Sequence, residues 1–133
     1  MGINVSQMKT NIYPLKQECY NVIGSAMAVH NELGCGFLEA VYQEALGLEF
    51  IENAIPFIKE KRLDVSYKGR LLEKKYVADF ICYTQLILEV KAMDGLLPEH
   101  IAQVLNYLKA TGLRLGLLIN FGATKLQYKR VIL

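Results

Sequence analysis

Two short apolar runs each carry an acid in their interior, Tyr76-Val77-Ala78-Asp79-Phe80 and Ile87-Leu88-Glu89-Val90-Lys91. Their length and composition suit β-strands. In a strand successive side chains alternate faces, so Glu89 and Lys91 point one way and Leu88 and Val90 point the other, into a core. Charges inside such apolar strands are costly to desolvate unless they are paired or bound to a metal. This constrains the fold more than any other feature, because the strands must bring their charges to a place that tolerates them. An Asp, a Glu and a Lys so spaced can hold a divalent cation and orient a water for phosphodiester hydrolysis. The competing expectation is a buried Glu89–Lys91 or Asp79–Lys91 ion pair without chemistry.

The flanking sequence supplies the rest of a sheet and its covering helices. Residues 1–13 are polar, without clear period, and read as a loose start. Leu15, Cys19, Val22, Ile23, Ala26, Val29 and Leu33 recur at helical spacing, and Gly34-Cys35-Gly36 breaks that helix. A second helix is expected from Phe37 to Glu52, with Leu38, Val41, Ala45 and Leu48 as its stripe. Phe57 to Tyr67 reads as a strand, Lys68-Gly69 as a hairpin turn, and Arg70 to Tyr83 as the antiparallel partner, long enough to bend or bulge. Thr84-Gln85 turns the chain into a strand over Leu86–Ala92. Leu97-Pro98-Glu99 opens a helix that runs to Ala110 and ends near Gly112, with Ile101, Val104, Leu105 and Leu108 inward. Leu113–Asn120 is almost wholly apolar, hence a buried strand, and Lys125–Ile132 makes the last one. The order ααβββαββ predicts an α+β domain with a mixed sheet, in which a helical connection lets the third and fourth strands run parallel.

Bulk composition narrows the class. A chain of 133 residues, 53% hydrophobic and 21% charged, fits a single globular domain over residues 1–133. A net charge of +2 does not by itself argue for nucleic acid; that role needs the 15 Lys and Arg to cluster in space. Cys19, Cys35 and Cys82 have neither disulfide-framework nor zinc spacing and read as buried or semi-buried thiols in a reducing cytoplasm. No apolar run approaches the ~18–20 residues of a membrane span, and no stretch has the form of a signal peptide. The chain is expected to be soluble and cytoplasmic, with no membrane partner.

Three groups of residues can carry chemistry. In the first, Asp79 and Glu89 offer oxygen ligands to Mg²⁺ or Mn²⁺, and Lys91 positions water or stabilises the transition state. In the second, His100, Gln103 and Tyr107 share a helix face that can line a cleft. Gln103 and Tyr107 can contact substrate there. In the third, Glu39 and Tyr42 stand one turn apart, and Glu39 can reach a metal as a third carboxylate. An acid in the first helical turn is also explained by the helix dipole alone. His30, near the end of the first helix, reads as a cap-like or packing residue rather than a site residue.

Gly36-x-x-Glu39-x-x-Tyr42, preceded by Val29-His30-Asn31-Glu32-Leu33-Gly34, resembles the signature of the GxxExxY protein family, grouped with the PD-(D/E)XK nuclease superfamily. The resemblance runs over nearly the whole chain. It includes Ile55-Pro56-Phe57, Tyr67-Lys68-Gly69, Val77-Ala78-Asp79, Glu89-Val90-Lys91-Ala92, Leu97-Pro98-Glu99-His100 and the segment from Thr111 to Phe121. It implies a restriction-endonuclease-like αβββαβ core, here preceded by an extra N-terminal helix, and metal-dependent cleavage of nucleic acid, DNA ahead of RNA. Asp79 matches the acid of the first motif, although Ala78 stands where the superfamily has proline. Glu89 and Lys91 match the (D/E)XK motif, and Gln103 to Tyr107 resembles the QxxxY helix motif of RecB-like nucleases. Glu39 sits where many members carry a first-helix acid. The alternative on the same fold is a non-catalytic nucleic-acid-binding or protein-interaction module. The apolar strand near the C-terminus leaves a homodimer open.

Overall fold

The computed structural model describes residues 14–133, so the expected loose start lies outside the described residues. Helices α1 (Lys16–Leu33) and α2 (Glu39–Glu52) lead into strand β1 (Phe57–Leu63). The hairpin β2 (Ser66–Tyr67) and β3 (Arg70–Leu71) follows, then β4 (Tyr76–Cys82) and β5 (Leu86–Lys91). Helix α3 (Pro98–Thr111) connects to β6 (Leu115–Asn120) and β7 (Gln127–Ile132). Five strands form one mixed sheet in the order β1-β4-β5-β6-β7. β5 and β6 are parallel, as the helical crossover allows, and the other neighbours are antiparallel.

The sheet is covered on both faces. Leu86, Leu88 and Val90 of β5 join Cys19, Val22, Ala26 and Val29 of α1 and Leu46 and Phe50 of α2 in one core. Ile87 joins Val104, Tyr107 and Leu108 of α3 in a second core. Every residue of β6 is buried, as expected for a central strand between two layers. Gly116 on β6 sits directly under α3: a Cβ there would collide with Val104 Cγ1. The glycine therefore sets how closely α3 docks.

Three expectations need correction. The long paired strands 57–67 and 70–83 are interrupted, so the main sheet keeps only β1 and β4, and β2–β3 form a separate two-stranded arm. The arm closes on Lys68 and Gly69, both at positive φ, the turn that suits the twist of a two-residue hairpin. Between β4 and β5 the loop is Tyr83–Gln85 rather than Thr84-Gln85, with Tyr83 and Thr84 in left-handed geometry and Cys82 opposite Leu86. On α2 the predicted stripe of Leu38, Val41 and Leu48 is exposed, with only Ala45 half-buried. Tyr42, Leu46 and Phe50 point inward instead. The sequence EAVYQEALGLEFIE is apolar around most of the helix, so two stripes compete. The larger rings win, because Tyr42 stacks on Phe121 at 4.7 Å and Phe50 meets Phe80 edge-on at 5.3 Å.

Cys19 and Cys82 are buried as free thiols, whereas Cys35 is exposed. No helix among the described residues is long and apolar enough to cross a membrane.

Gly116→Ala is expected to destabilise the protein by ~1–3 kcal/mol through over-packing. Urea denaturation checks this, and Val104→Ala in the same chain is expected to restore part of the loss.

Candidate active site

The β4–β5 ladder stops where the acids begin. Its last pair is Phe80↔Leu88, and the next positions in register are Asp79 and Glu89. There the side chains take over from the backbone. The Asp79 N–H donates to Glu89 Oε1 at 3.1 Å, and the Val90 N–H donates to Asp79 Oδ2 at 2.7 Å. Each acid thus satisfies a backbone donor of the other strand, and the two carboxylates are held side by side.

The strands also change face at this level. Ala78 belongs to the α3-side core, whereas Phe80 and Cys82 belong to the other. On β1, Phe57 packs on one side and Leu63 on the other, although regular alternation would put both on the same face. Between them Glu60 has φ 54° and is the one β1 position between Phe57 and Leu63 absent from the ladder, opposite Asp79. A kink in two adjacent strands at one level opens the sheet around the acids, as bulges do beside active sites.

Lys91 makes no ion pair with either acid. Its Nζ donates to Gln103 Oε1 at 3.1 Å, and Gln103 Nε2 donates to the Tyr107 hydroxyl at 3.0 Å. Lysine is only a donor, so this amide orientation follows from chemistry. Tyr76 packs its ring on Tyr107 at 5.0 Å. Among the described residues the ion pair present is Lys75–Asp64 at 2.8 Å, which involves neither acid. The expected Glu89–Lys91 or Asp79–Lys91 pair is therefore absent there.

Burial is the largest influence on the acids. Glu89 is 3% exposed, and its carboxyl is pushed up to about 8, first by burial and next by the charge of Asp79. Burial also raises Asp79, against the hydrogen bond from Val90 and the charge of Lys91. Glu39 is raised by burial and then by Asp79, while Lys91 and His100 act in the opposite direction. The structure thus brings Glu39 and His100 within electrostatic reach of Asp79 and Lys91. Tyr107 is pushed up to about 12 by burial and by the charges of Glu89 and Asp79.

Not every expected residue enters the site. The Tyr42 hydroxyl donates to Gly34 O at 2.6 Å and accepts from the Phe37 N–H at 3.2 Å, and the residue is fully buried. It ties down the loop that delivers Glu39 and does not face the acids. His100 accepts from the Leu97 N–H through Nδ1 at 2.9 Å, which caps α3. His30 is buried, and its Nε2 meets Ala123 O at 3.0 Å.

Two contributors were absent from the sequence reading. Gln43 donates to Glu39 Oε1 at 3.5 Å and hydrogen-bonds Asp79, so it bridges the helix acid to the sheet acid. It stands four residues from Glu39, and that spacing was the available signal. Asn120 is fully buried at the end of β6. Its Oδ1 accepts from Met93 N at 3.0 Å and Gly122 N at 3.1 Å, and its Nδ2 donates to Met93 O and Gln127 Oε1, both at 2.9 Å. With the bond from Phe121 N to Lys91 O at 2.8 Å, this clamps the chain just after Lys91. Gly122 is required there, because a Cβ would overlap the Met93 backbone.

The donor set suits a hard divalent cation. Mg²⁺ and Mn²⁺ take carboxylate oxygens and are commonly held by one or two of them together with substrate phosphate. Asp79 and Glu89 provide two such groups, and Lys91 is the positive charge within electrostatic reach of both. No cluster of three or more His, Cys, Asp or Glu is close enough among the described residues to enclose a metal alone.

The comparisons agree with this geometry. The family model described as PD-(D/E)XK nuclease superfamily matches residues 16–131. The chain belongs to the PD-(D/E)XK nuclease superfamily. Its mixed five-stranded sheet with helices on both faces is the restriction-endonuclease-like fold of that superfamily. The solved structure titled "Crystal structure of SSO0001" shares the fold, with a TM-score of 0.57 and 19% identity. That alignment covers 70% of this chain and 48% of the other, so this chain spans about half the length of that protein. No curated protein matches.

The raised Glu89 carboxyl gives a pH signature. In the unfolded chain it titrates near 4.5, and in the folded chain near 8. Between those values the folded state keeps a proton that the unfolded state has released, so stability falls as pH rises through that window. Metal-free protein is expected to lose urea stability between about pH 5 and pH 8. Glu89→Gln is expected to flatten that dependence.

Proposed function

We propose that this protein is a Mg²⁺- or Mn²⁺-dependent nuclease that hydrolyses phosphodiester bonds of nucleic acid, with DNA as the first substrate class. The observation that carries the proposal is the Asp79–Glu89 pair, each carboxyl accepting a backbone hydrogen bond from the other's strand, with Glu89 buried, Asp79 half-buried and Lys91 within electrostatic reach of both. A purely structural clamp would be served by Asn and Gln without the desolvation cost of two acids. The narrower GxxExxY assignment rests on Gly36, Glu39 and Tyr42, and we extend the nuclease-like domain over residues 1–133 on the same grounds.

In this reading Asp79 and Glu89 hold the metal. A bound divalent cation supplies Lewis-acid charge to the phosphate and makes water a better nucleophile. The chain's own groups do the rest. Lys91 presents its ammonium at the mouth of the acid pair, where it orients the attacking water and offsets charge developing on the phosphoryl oxygens. Gln103 and Tyr107 keep that ammonium from swinging onto the carboxylates. Glu39, held by Gln43 and within electrostatic reach of Asp79, can receive the proton of the attacking water. His100 sits at the start of α3, near Glu39, where it can contact a flanking phosphate.

Lys91→Ala is expected to lower metal-dependent cleavage of labelled DNA by roughly two to three orders of magnitude, as losing one transition-state donor does. Asp79→Asn is expected to abolish it, and EDTA to abolish it in the parent. A gel assay with single- and double-stranded DNA and RNA reads all three. Undiminished cleavage by the Lys91→Ala and Asp79→Asn proteins would remove the proposal.

A further inference from the structure

The basic residues of this chain are not evenly spread. Residues 59–75 hold seven of the 15 lysines and arginines and three of the 13 acids, a local charge of +4, which leaves the remainder at −2. Lys59, Lys61, Arg62, Lys68, Arg70 and Lys74 are all exposed. Only Lys75 is tied up in an ion pair, with Asp64 at 2.8 Å, and this joins the two sides of the arm near its root. The bond from Leu72 N to Val65 O at 2.8 Å joins them again, closer to the tip.

The topology fixes where this charge lies. β1 leaves the sheet at Leu63 and β4 re-enters opposite it at Tyr76. β4 is antiparallel to β5, and β5 is parallel to β6, so Leu63, Tyr76, Lys91 and Asn120 all lie at one end of the sheet. The β2–β3 arm therefore rises from the end that carries the candidate active site. Its root residue Tyr76 also packs on Tyr107, the end of the Lys91–Gln103–Tyr107 chain. At its tip Tyr67 is 61% exposed with Lys68 Nζ 5.5 Å from its ring. A ribbon of about five residues reaches about 16 Å, which matches roughly five phosphates of one strand.

We propose that the β2–β3 arm, with Lys61, Arg62, Lys68, Arg70 and Lys74, grips the phosphate backbone of nucleic acid flanking the site. The proposal rests on the nuclease reading for what is cut, but not for what is bound. The arm contributes affinity and register, and the acid pair contributes chemistry. The arm contacts phosphates without reading bases, so binding is salt-sensitive and largely independent of sequence.

The test uses the full chain in EDTA and follows anisotropy of a labelled DNA duplex as salt is raised. Lys68→Gln with Arg70→Gln is expected to weaken binding and to make the log–log salt slope shallower by about 2. The charge-keeping exchange Lys68→Arg with Arg70→Lys is expected to retain the parent slope, and Lys125→Gln with Lys129→Gln to leave it unchanged. With Mg²⁺, the neutral arm variant is expected to raise KM for DNA while leaving kcat and the cleavage of bis(p-nitrophenyl) phosphate as they are. Parent-like slope and KM in the neutral arm variant would overturn the arm and leave the nuclease reading standing. An arm-dependent slope without any cleavage would uphold the arm and overturn the nuclease reading. A parent protein that does not bind DNA at low salt would overturn the arm outright.

Discussion

The exchange of backbone bonds between Asp79 and Glu89 is the interaction on which the rest of the site depends. Two antiparallel strands give up their regular ladder at one position, and two carboxylates fill the gap. This keeps buried amides satisfied, which an open sheet would otherwise leave unpaired. It also fixes both acids on rigid strands rather than on loops, which is how an accurate site is built. The cost is a buried Glu89 and a half-buried Asp79, both with raised affinity for protons.

The surrounding fold holds that arrangement in place. The kink at Glu60 lets β1 and β4 change face at the level of Asp79. The Asn120 clamp and Gly122 fix the exit of β5, so Lys91 cannot drift from the acids. Gly116 sets the distance of α3, which brings Gln103 and Tyr107 to Lys91. Helix α2 supplies Glu39 and Gln43, Gln43 hydrogen-bonds Asp79, and the buried Tyr42 hydroxyl holds the preceding loop. The site residues come from four separate elements, α2, β4, β5 and α3.

Much of this was legible in the sequence. The alternation in Ile87–Lys91 gave the face of Glu89 and Lys91 correctly, because period two leaves no choice once one face is apolar. The stripes of α1 and α3 were clear for the same reason. The stripe of α2 was not, since a helix apolar on most sides is decided by which rings find partners across the core. The strand kink was hidden too, because left-handed geometry at Glu60 has no signature in a Lys-Glu-Lys run. Asn120 looked like the polar end of an apolar strand, and its four bonds exist only because two distant loops cross there. The clustering of basic residues needed the topology, which sets the arm at the end of the sheet that carries Lys91.

The central claim is that Asp79 and Glu89 form the seat of a divalent cation. Calorimetric titration of Mn²⁺ into the protein near pH 7, repeated in buffers of different ionisation enthalpy, tests it most directly. The account predicts one site, with a proton released on binding because Glu89 must give up its own. It also predicts that Asp79→Asn and Glu89→Gln each remove the site. Mn²⁺ binding that persists in both variants, or no binding by the parent protein, would contradict it.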